Sequence, residues 1–171
     1  ALREEGKNEY LQSLSGIAVT RMNARFMAYF FNFDPDWGIP HDMEHIKNLL
    51  RKEDIVFCGA LRYAAHQTSD ATAVKLARFF DTDFINLTNV KGLYDKNPKL
   101  KDAKFISHAT REELYAIVKK IGFKPGAHTP VDPTAMRVIL ENKIKTYIIG
   151  PDMRQLDNLL NNKKFVGTIV D

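Results

Sequence analysis

Short apolar runs that alternate with helix-forming segments constrain the fold of this chain more than any other feature. Ile55–Cys58, Phe84–Thr88, Ile144–Ile149 and Phe165–Val170 are apolar runs of strand length, each bounded by glycine or polar residues. Strands that alternate with helices predict an α/β fold with a mostly parallel sheet. The chain contains no internal repeat and no linker composition, so we expect residues 1–171 to form a single domain.

The helical segments carry recognisable start signals. Thr68-Ser69-Asp70 opens one helix, which we expect Ser69 or Asp70 to cap. Thr110 and Glu113 form a capping box for a helix that reaches Ile121, and Pro133 suits the first turn of the next. The other helices are expected over Arg3–Tyr29, where Gly16 separates two of them, over Met43–Leu50 and over Met153–Leu160.

Composition limits the classes of protein that fit. A single cysteine, Cys58, cannot form a disulfide framework and is expected to be buried and reduced. No apolar run approaches the roughly 20 residues of a membrane span, and the first five residues do not resemble a signal peptide. The net charge of +4 is spread along the chain rather than gathered in a basic block. We therefore expect a soluble, cytoplasmic protein that binds neither membrane nor nucleic acid.

Ligands of open α/β sheets bind beyond the carboxyl ends of the strands, which directs attention to three loops. The first, Gly59–Asp70, leads into a helix N-terminus, and its Arg62, Tyr63 and His66 add a guanidinium, an aromatic ring and a donor. Phosphate binding is one interpretation of this loop, and plain helix capping is the other. The second and third loops are Thr88–Asn97 and residues 150–152.

The second loop offers a hydroxyl, an aromatic ring and two lysines around Gly92. Binding of a nucleotide base and its phosphates is one interpretation of this loop, and an ordinary turn is the other. Glycine fingerprints of dinucleotide-binding and P-loop proteins are absent from the chain. His41 and His45 lie four residues apart without a third ligand nearby in sequence, so no resident metal site is predicted.

Three segments in order resemble the amino acid kinase superfamily, and within it the uridylate kinases of the archaeal type. Gln67–Ala73 is similar to the Thr-Thr-Asp-x-x-Ala helix entry of that family. Thr88–Pro98 is similar to Thr-x-Val-Asp-Gly-Val-Tyr-x-x-Asp-Pro, and Val131–Ala135 to Val-x-Asp-Pro-x-Ala-Ala. The final Val166–Val170 resembles the last family strand, which usually contains Gly-Thr.

The resemblance implies a three-layer αβα sandwich and phosphoryl transfer from ATP, with Mg²⁺, to UMP. It further implies a homo-oligomer in which dimers assemble into a hexamer. Asp70 and Asp132 correspond to carboxylates near the transferring phosphoryl group. Residues that correspond to the UMP site are Arg62, Tyr63, His66, Gln67, Thr68 and Ser69, and those that correspond to the ATP site are Thr88, Tyr94 and Asn97.

The chain departs from the family pattern at several positions. Neither of the family's two glycine-rich phosphate loops is present, so we expect the N-terminal βαβ portion to lie outside this chain. Lys91, Asn97 and Ser13 each stand where the family has Asp. A related kinase of isopentenyl phosphate, carbamate or acetylglutamate is one alternative to a UMP kinase. A non-catalytic nucleotide-binding protein of the same fold is another.

Overall fold

A computed structural model describes residues 8–33, 38–63, 68–121 and 130–171. The chain divides into two compact units, with Thr72 the last residue of the first and Ala73 the first of the second. None of the described helices combines the length and the apolar character that a membrane-spanning segment needs. The elements in chain order are α1 (Glu9–Phe30), α2 (Met43–Leu49), α3 (Ser69–Phe79), β1 (Phe84–Leu87), β2 (Leu93–Tyr94), β3 (Phe105–Ile106), β4 (His108–Ala109), α4 (Arg111–Ile121), α5 (Pro133–Asn142), β5 (Thr146–Ile149), α6 (Met153–Leu160) and β6 (Gly167–Val170).

The long helix α1 dominates the first unit and corrects one prediction. Asn8 caps this helix, because its side chain accepts a hydrogen bond from the backbone N–H of Leu11 at 3.1 Å. The helix then continues through Gly16 without interruption, whereas the sequence predicted two helices separated there. A glycine within a helix costs about 1 kcal/mol relative to alanine, which a helix of 22 residues can absorb.

The predicted strand Ile55–Cys58 is not formed. The backbone of these residues has no regular secondary structure, and Ile55 is 53% exposed. A strand requires a neighbouring strand to receive its ladder of hydrogen bonds, and the described part of the first unit contains no strand. Phe57 instead stacks on Phe31, the residue that follows α1, with ring centroids 5.5 Å apart.

The second unit contains a four-stranded sheet in the order β1-β5-β6-β4. β1 pairs with β5 in parallel, β4 pairs with β6 in parallel, and β5 pairs with β6 antiparallel. Three predicted strands are therefore confirmed, and the predicted mostly parallel α/β sheet with them. The observed strands are shorter than predicted: β5 begins at Thr146 rather than at Ile144, and β6 begins at Gly167 rather than at Phe165.

Three short strands of the second unit were not predicted. β2 and β3 pair antiparallel, so the polar segment between them is the connection of a small hairpin. β4 has only two residues and forms the edge of the main sheet. Strands this short carry no alternation of apolar and polar residues that a sequence pattern could reveal.

Helices α4 and α5 pack together and bury the apolar side chains Leu114, Met136 and Ile139. The predicted capping box at the start of α4 is present. The backbone N–H of Thr110 donates to the Glu113 carboxylate at 2.8 Å, and the N–H of Glu113 donates to Thr110 Oγ1 at 3.1 Å. The sheet contributes Ile148, Ile149 and Val170 to the core of this unit.

Candidate active site

An open cleft of about 210 Å³ lies within the first unit, and we call it the α1 cleft. The middle of α1 forms one wall, residues 60–63 form the second, and the start of α3 forms the third. The residues that line the cleft are Ser13, Gly16, Ile17, Thr20, Ala60, Leu61, Arg62, Tyr63, Thr68, Ser69 and Thr72.

Two adjacent residues of α1 hold two loop segments of the first unit, one of which lines the cleft. Thr20 Oγ1 accepts a hydrogen bond from the backbone N–H of Ala60 at 3.0 Å and donates to the carbonyl of Ile17 at 2.9 Å. The guanidinium of Arg21 donates to the carbonyls of Ile39 and Pro40 at 2.5 and 2.6 Å. Because side chains of α1 satisfy backbone groups of both loop segments, the position of the loops follows that of the helix.

Gly59 permits the close approach of the loop to α1. A Cβ atom at this position would lie 2.6 Å from the backbone nitrogen of Arg21 and 2.6 Å from the carbonyl oxygen of Thr20. Side chains at that distance from rigid backbone are not tolerated, so any other residue would push the loop away from the helix. The adjacent Cys58 is partly buried, and this burial raises the pKa of its thiol, which agrees with a reduced, unreactive cysteine.

Arg62 and Tyr63 both lie on the α1 cleft, as predicted for members of one site. The Arg62 guanidinium forms an ion pair with Asp42 at 3.3 Å, and its backbone N–H donates to the carbonyl of His41 at 2.9 Å. The Tyr63 ring meets the Tyr10 ring edge to face at a centroid distance of 4.9 Å. Two further predicted site residues, His66 and Gln67, lie outside the described residues.

The start of α3 forms the third wall and corrects the prediction about its cap. Thr68, rather than Ser69 or Asp70, is the capping residue, because its Oγ1 accepts from the backbone N–H of Ala71 at 3.1 Å. Thr72 Oγ1 in turn donates to the Thr68 carbonyl at 3.0 Å. Asp70 occupies the first turn of α3, where a negative charge interacts favourably with the helix dipole.

The chemistry of the α1 cleft suits a ligand that carries a phosphate. Hydroxyl groups come from all three walls, a guanidinium lies at its edge, and none of the described residues that line it is acidic. Sequence reasoning identified Arg62, Tyr63, Thr68 and Ser69. It missed Thr20 and Thr72, whose only local signal is their helical position. Ser13, noted earlier only as a departure from the family pattern, also lines the cleft.

The predicted donor residues lie in the second unit, after β1. The backbone N–H of Thr88 donates to the carbonyl of Ile149, the last residue of β5, at 2.8 Å. A Cβ at Gly150 would lie 3.0 Å from the carbonyl oxygen of Val90, so the loops after the parallel strands β1 and β5 touch. This agrees with the expectation that loops at the carboxyl ends of neighbouring strands lie together.

Tyr94 and Asn97 belong to the β2–β3 hairpin. The half-buried Tyr94 ring packs edge to face against Phe105 with centroids 5.7 Å apart. The Asn97 side chain accepts a hydrogen bond from the backbone N–H of Lys99 at 3.0 Å, as in an Asx turn. The carboxylate of Asp95 accepts from the N–H of Lys104 at 2.8 Å. Polar side chains of the segment that connects β2 and β3 thus bond to backbone N–H groups of the same segment.

Asp132 is buried and caps α5. Its Oδ1 accepts hydrogen bonds from the backbone N–H groups of Thr134 and Ala135 at 2.7 and 3.1 Å, and only 6% of the residue is exposed. Asn86 on β1 donates to the carbonyl of Pro130 and so fixes the chain just before this cap. A role for Asp132 near phosphates stays a prediction.

Comparisons with known proteins find matches that extend over almost the whole chain. The sequence profile of the amino acid kinase family matches residues 4–150. A uridylate kinase of Methanococcus aeolicus is 33% identical over 100% of this chain and 76% of its own length, and one of Methanobrevibacter smithii is 33% identical over 99% and 75%. The crystal structure of uridylate kinase from Archaeoglobus fulgidus superposes with a TM-score of 0.83 at 31% identity, over 99% of this chain and 76% of that one.

Proposed function

Because this chain belongs to the amino acid kinase family, we propose that it phosphorylates UMP to UDP with ATP as the donor. The observation that carries the proposal is the match to archaeal uridylate kinases, which extends over essentially the whole chain in sequence and in fold. In the reaction, an oxygen of the UMP phosphate attacks the γ-phosphorus of ATP. The bond to the β–γ bridging oxygen breaks, and ADP leaves.

The α1 cleft is the proposed acceptor site. Arg62 offers the charge-assisted hydrogen bonds that a phosphate dianion needs, and Tyr63 offers a ring edge at the rim. Thr68 and Ser69 place hydroxyls and backbone N–H groups of a helix N-terminus on the same cleft, where the dipole favours an anion. His66 and Gln67, which lie outside the described residues, complete the proposed UMP site.

Thr88, Tyr94 and Asn97 are the proposed donor-site residues. Thr88 directly follows β1 at the carboxyl end of that strand, where open α/β folds bind ligands. Tyr94 and Asn97 lie in the β2–β3 hairpin that comes next in the chain. Mg²⁺ is proposed to arrive on the phosphates of ATP as part of the substrate. The described residues contain no group of three or more metal-binding side chains, and magnesium commonly keeps water and phosphate oxygens as its main ligands.

Asp70 is the proposed catalytic carboxylate, with Asp132 as a second candidate. Phosphoryl transfer needs positioning and charge stabilisation more than covalent help from the protein. A carboxylate in the first turn of α3, two residues after the capping Thr68, can hold cationic groups in place around the phosphates. The buried Asp132 already carries two backbone hydrogen bonds, which favours a structural role for it.

Three broader features belong to the same proposal. The two units form one amino acid kinase domain, which is supported by a family profile that spans parts of both. The protein works in the cytoplasm as a homo-oligomer of dimers that assemble into a hexamer. Neither membrane nor nucleic acid is a partner. Light scattering coupled to size exclusion tests the assembly, and a mass other than six subunits would contradict it.

A coupled assay of ADP release by the protein expressed from its complete coding sequence tests the proposed reaction. We expect turnover with UMP and ATP, and weaker turnover with CMP or dUMP. Isopentenyl phosphate, carbamate and acetylglutamate serve as competing acceptors, and turnover with one of them alone would replace UMP as the substrate. Nucleotide binding without turnover on any acceptor would point to a non-catalytic binding protein.

A further inference from the structure

Arg62, the proposed phosphate ligand, is held from two sides by the segment that precedes α2. Its guanidinium Nη2 lies 3.3 Å from Asp42 Oδ2. Its backbone N–H donates to the carbonyl of the neighbouring His41 at 2.9 Å. The backbone of Arg62 is thereby tied to His41 and its side chain to the adjacent Asp42, at the edge of the α1 cleft.

Asp42 is itself fixed by a separate hydrogen bond. It is the capping residue of α2, and its Oδ1 accepts from the backbone N–H of His45 at 2.8 Å. Its other oxygen, Oδ2, is the one that faces Arg62 and, at 3.5 Å, His41 Nε2. One oxygen therefore anchors the carboxylate to the helix while the other meets the guanidinium. The hydrogen bond from the backbone N–H of His45 is the main cause that lowers the pKa of Asp42, and the Arg62 guanidinium lowers it further.

This ion pair is too exposed to matter much for stability. The Arg62 side chain is 72% exposed and that of Asp42 is 40% exposed. Exposed pairs of this kind contribute little to folding because water and salt screen them. A carboxylate that is anchored to a helix does, however, restrict the many rotamers of a long arginine side chain. A guanidinium has five N–H donors, so one contact with Asp42 leaves others for a second anion.

We propose that Asp42 is a positioning residue that holds the Arg62 guanidinium at the α1 cleft for the phosphate of the acceptor. The inference rests on the proposed function, because it takes Arg62 as a ligand of the UMP phosphate. Asp42 does not touch the acceptor in this role. It reduces the number of side-chain arrangements that Arg62 must give up when the nucleotide binds.

The test is a double-mutant cycle on the protein expressed from its complete coding sequence. Asp42→Asn removes the charge and keeps the cap, since asparagine caps helices about as well as aspartate. We expect the KM for UMP to rise on the order of three- to fivefold, the scale of an exposed ion pair. The KM for ATP, kcat and the melting temperature should stay near their wild-type values. In an Arg62→Ala background the same change should have no effect.

Glu44→Gln is the matched control, because it removes a carboxylate two residues away that pairs with Lys47 instead. It should leave the KM for UMP unchanged. If Arg62→Ala raises the KM for UMP but Asp42→Asn does not, or if the two effects add, the positioning role is overturned while the acceptor site stands. If Arg62→Ala itself has no effect on UMP, the acceptor assignment fails and the positioning role fails with it.

Discussion

Single residues decide where the loops of the first unit lie. Thr20 and Arg21 are adjacent on α1, and one binds the N–H of Ala60 while the other binds the carbonyls of Ile39 and Pro40. Gly59 lets the chain come close enough for the bond to Thr20 to form. None of these contacts could be predicted from local sequence, because each joins residues about 20 or 40 positions apart.

Asp70 permits a test that separates catalysis from helix capping. Since Thr68 provides the cap, Asp70→Asn should lower the melting temperature only slightly, through the lost interaction with the helix dipole. If Asp70 organises cationic groups around the phosphoryl group, kcat should fall about 10²–10³-fold, as when one preorganised electrostatic element is removed. Steady-state kinetics and thermal melts measure the two effects.

The control for Asp70 is Glu112→Gln, which removes an equivalent acid from the first turn of α4. It should cost similar stability and leave kcat unchanged. If Asp70→Asn retains full turnover, the catalytic carboxylate is not Asp70, and Asp132 becomes the residue to test.

Asp152 gives the protein a pH-dependent contribution to stability. Its carboxylate caps α6 and pairs with the Arg154 guanidinium at 2.9 Å, and these bonds lower its pKa to about 2. The pKa of Asp152 is near 3.8 in the unfolded chain and lower in the folded protein. The carboxylate therefore contributes its full stabilisation above the unfolded pKa, and this stabilisation is lost as the pH falls through the folded pKa. Asp152→Asn keeps a cap but cannot ionise.

The difference in free energy of unfolding between wild type and Asp152→Asn should therefore be constant above pH ~5 and shrink from pH ~4 towards pH ~2. Urea titrations at several pH values measure it. Arg154→Gln removes the side-chain hydrogen bond that is the main cause of the lowered pKa of Asp152. With Asp152 retained, this variant should show a weaker pH dependence of the free energy of unfolding than wild type. A difference that persists unchanged to pH ~2.5 would contradict the assignment.

At the scale of elements, the apolar runs of the described residues became strands where a neighbouring strand pairs with them. Phe84–Leu87 and Thr146–Ile149 became parallel neighbours, as continuous apolar runs in α/β sheets usually do. Ile55–Cys58 has the same character, but no strand in the described part of its unit receives its hydrogen bonds. Gly16 failed as a helix boundary because the flanking turns of α1 outweigh its modest penalty.

The β2–β3 hairpin depends on one hydroxyl from another strand. Thr168 of β6 is fully buried, and its Oγ1 accepts from the backbone N–H of Leu93 at 2.8 Å and donates to the carbonyl of Ile106. Thr168→Val keeps the shape of the side chain but leaves a buried N–H without its partner. It should cost about 2 kcal/mol of unfolding free energy, within the range for a buried unsatisfied donor.

Thr168→Ser is the matched variant, because it keeps the hydroxyl and loses only a methyl group worth about 1 kcal/mol. Chemical denaturation of both proteins should therefore rank valine as the more harmful change. Serine at least as harmful as valine would mean that packing, rather than the hydroxyl, holds the hairpin.

At the scale of the whole molecule, the described residues of the predicted acceptor site are close neighbours in the chain. Arg62, Tyr63, Thr68 and Ser69 fall within one loop and the helix that follows, and the structure brings them to one cleft. Thr20 also lines this cleft, but it lies on α1, far from these residues in the chain, and only tertiary contacts bring it there. The family motifs span the two units, which is why the donor and acceptor residues could be assigned before any distance was known.

The proposed donor and acceptor residues fall in different units, and this predicts a separation in their kinetic effects. Arg62→Ala should raise the KM for UMP about 10- to 100-fold, the scale of a hydrogen bond to a charged group, with little change in the KM for ATP. Tyr94→Ala should raise the KM for ATP by roughly 5- to 10-fold, the scale of a lost aromatic contact, with little change for UMP.

Tyr94→Phe separates a role in nucleotide binding from one in the hairpin. It keeps the ring that packs on Phe105, so the hairpin stays intact and the KM for ATP should remain near wild type if the ring face is what the nucleotide uses. Uniform binding interactions change KM and leave kcat alone, so turnover at saturation should be preserved in all three variants. The two loops lie in different units. If Tyr94→Ala affected only the KM for UMP and Arg62→Ala only the KM for ATP, the donor and acceptor assignments of the two loops would therefore have to be exchanged.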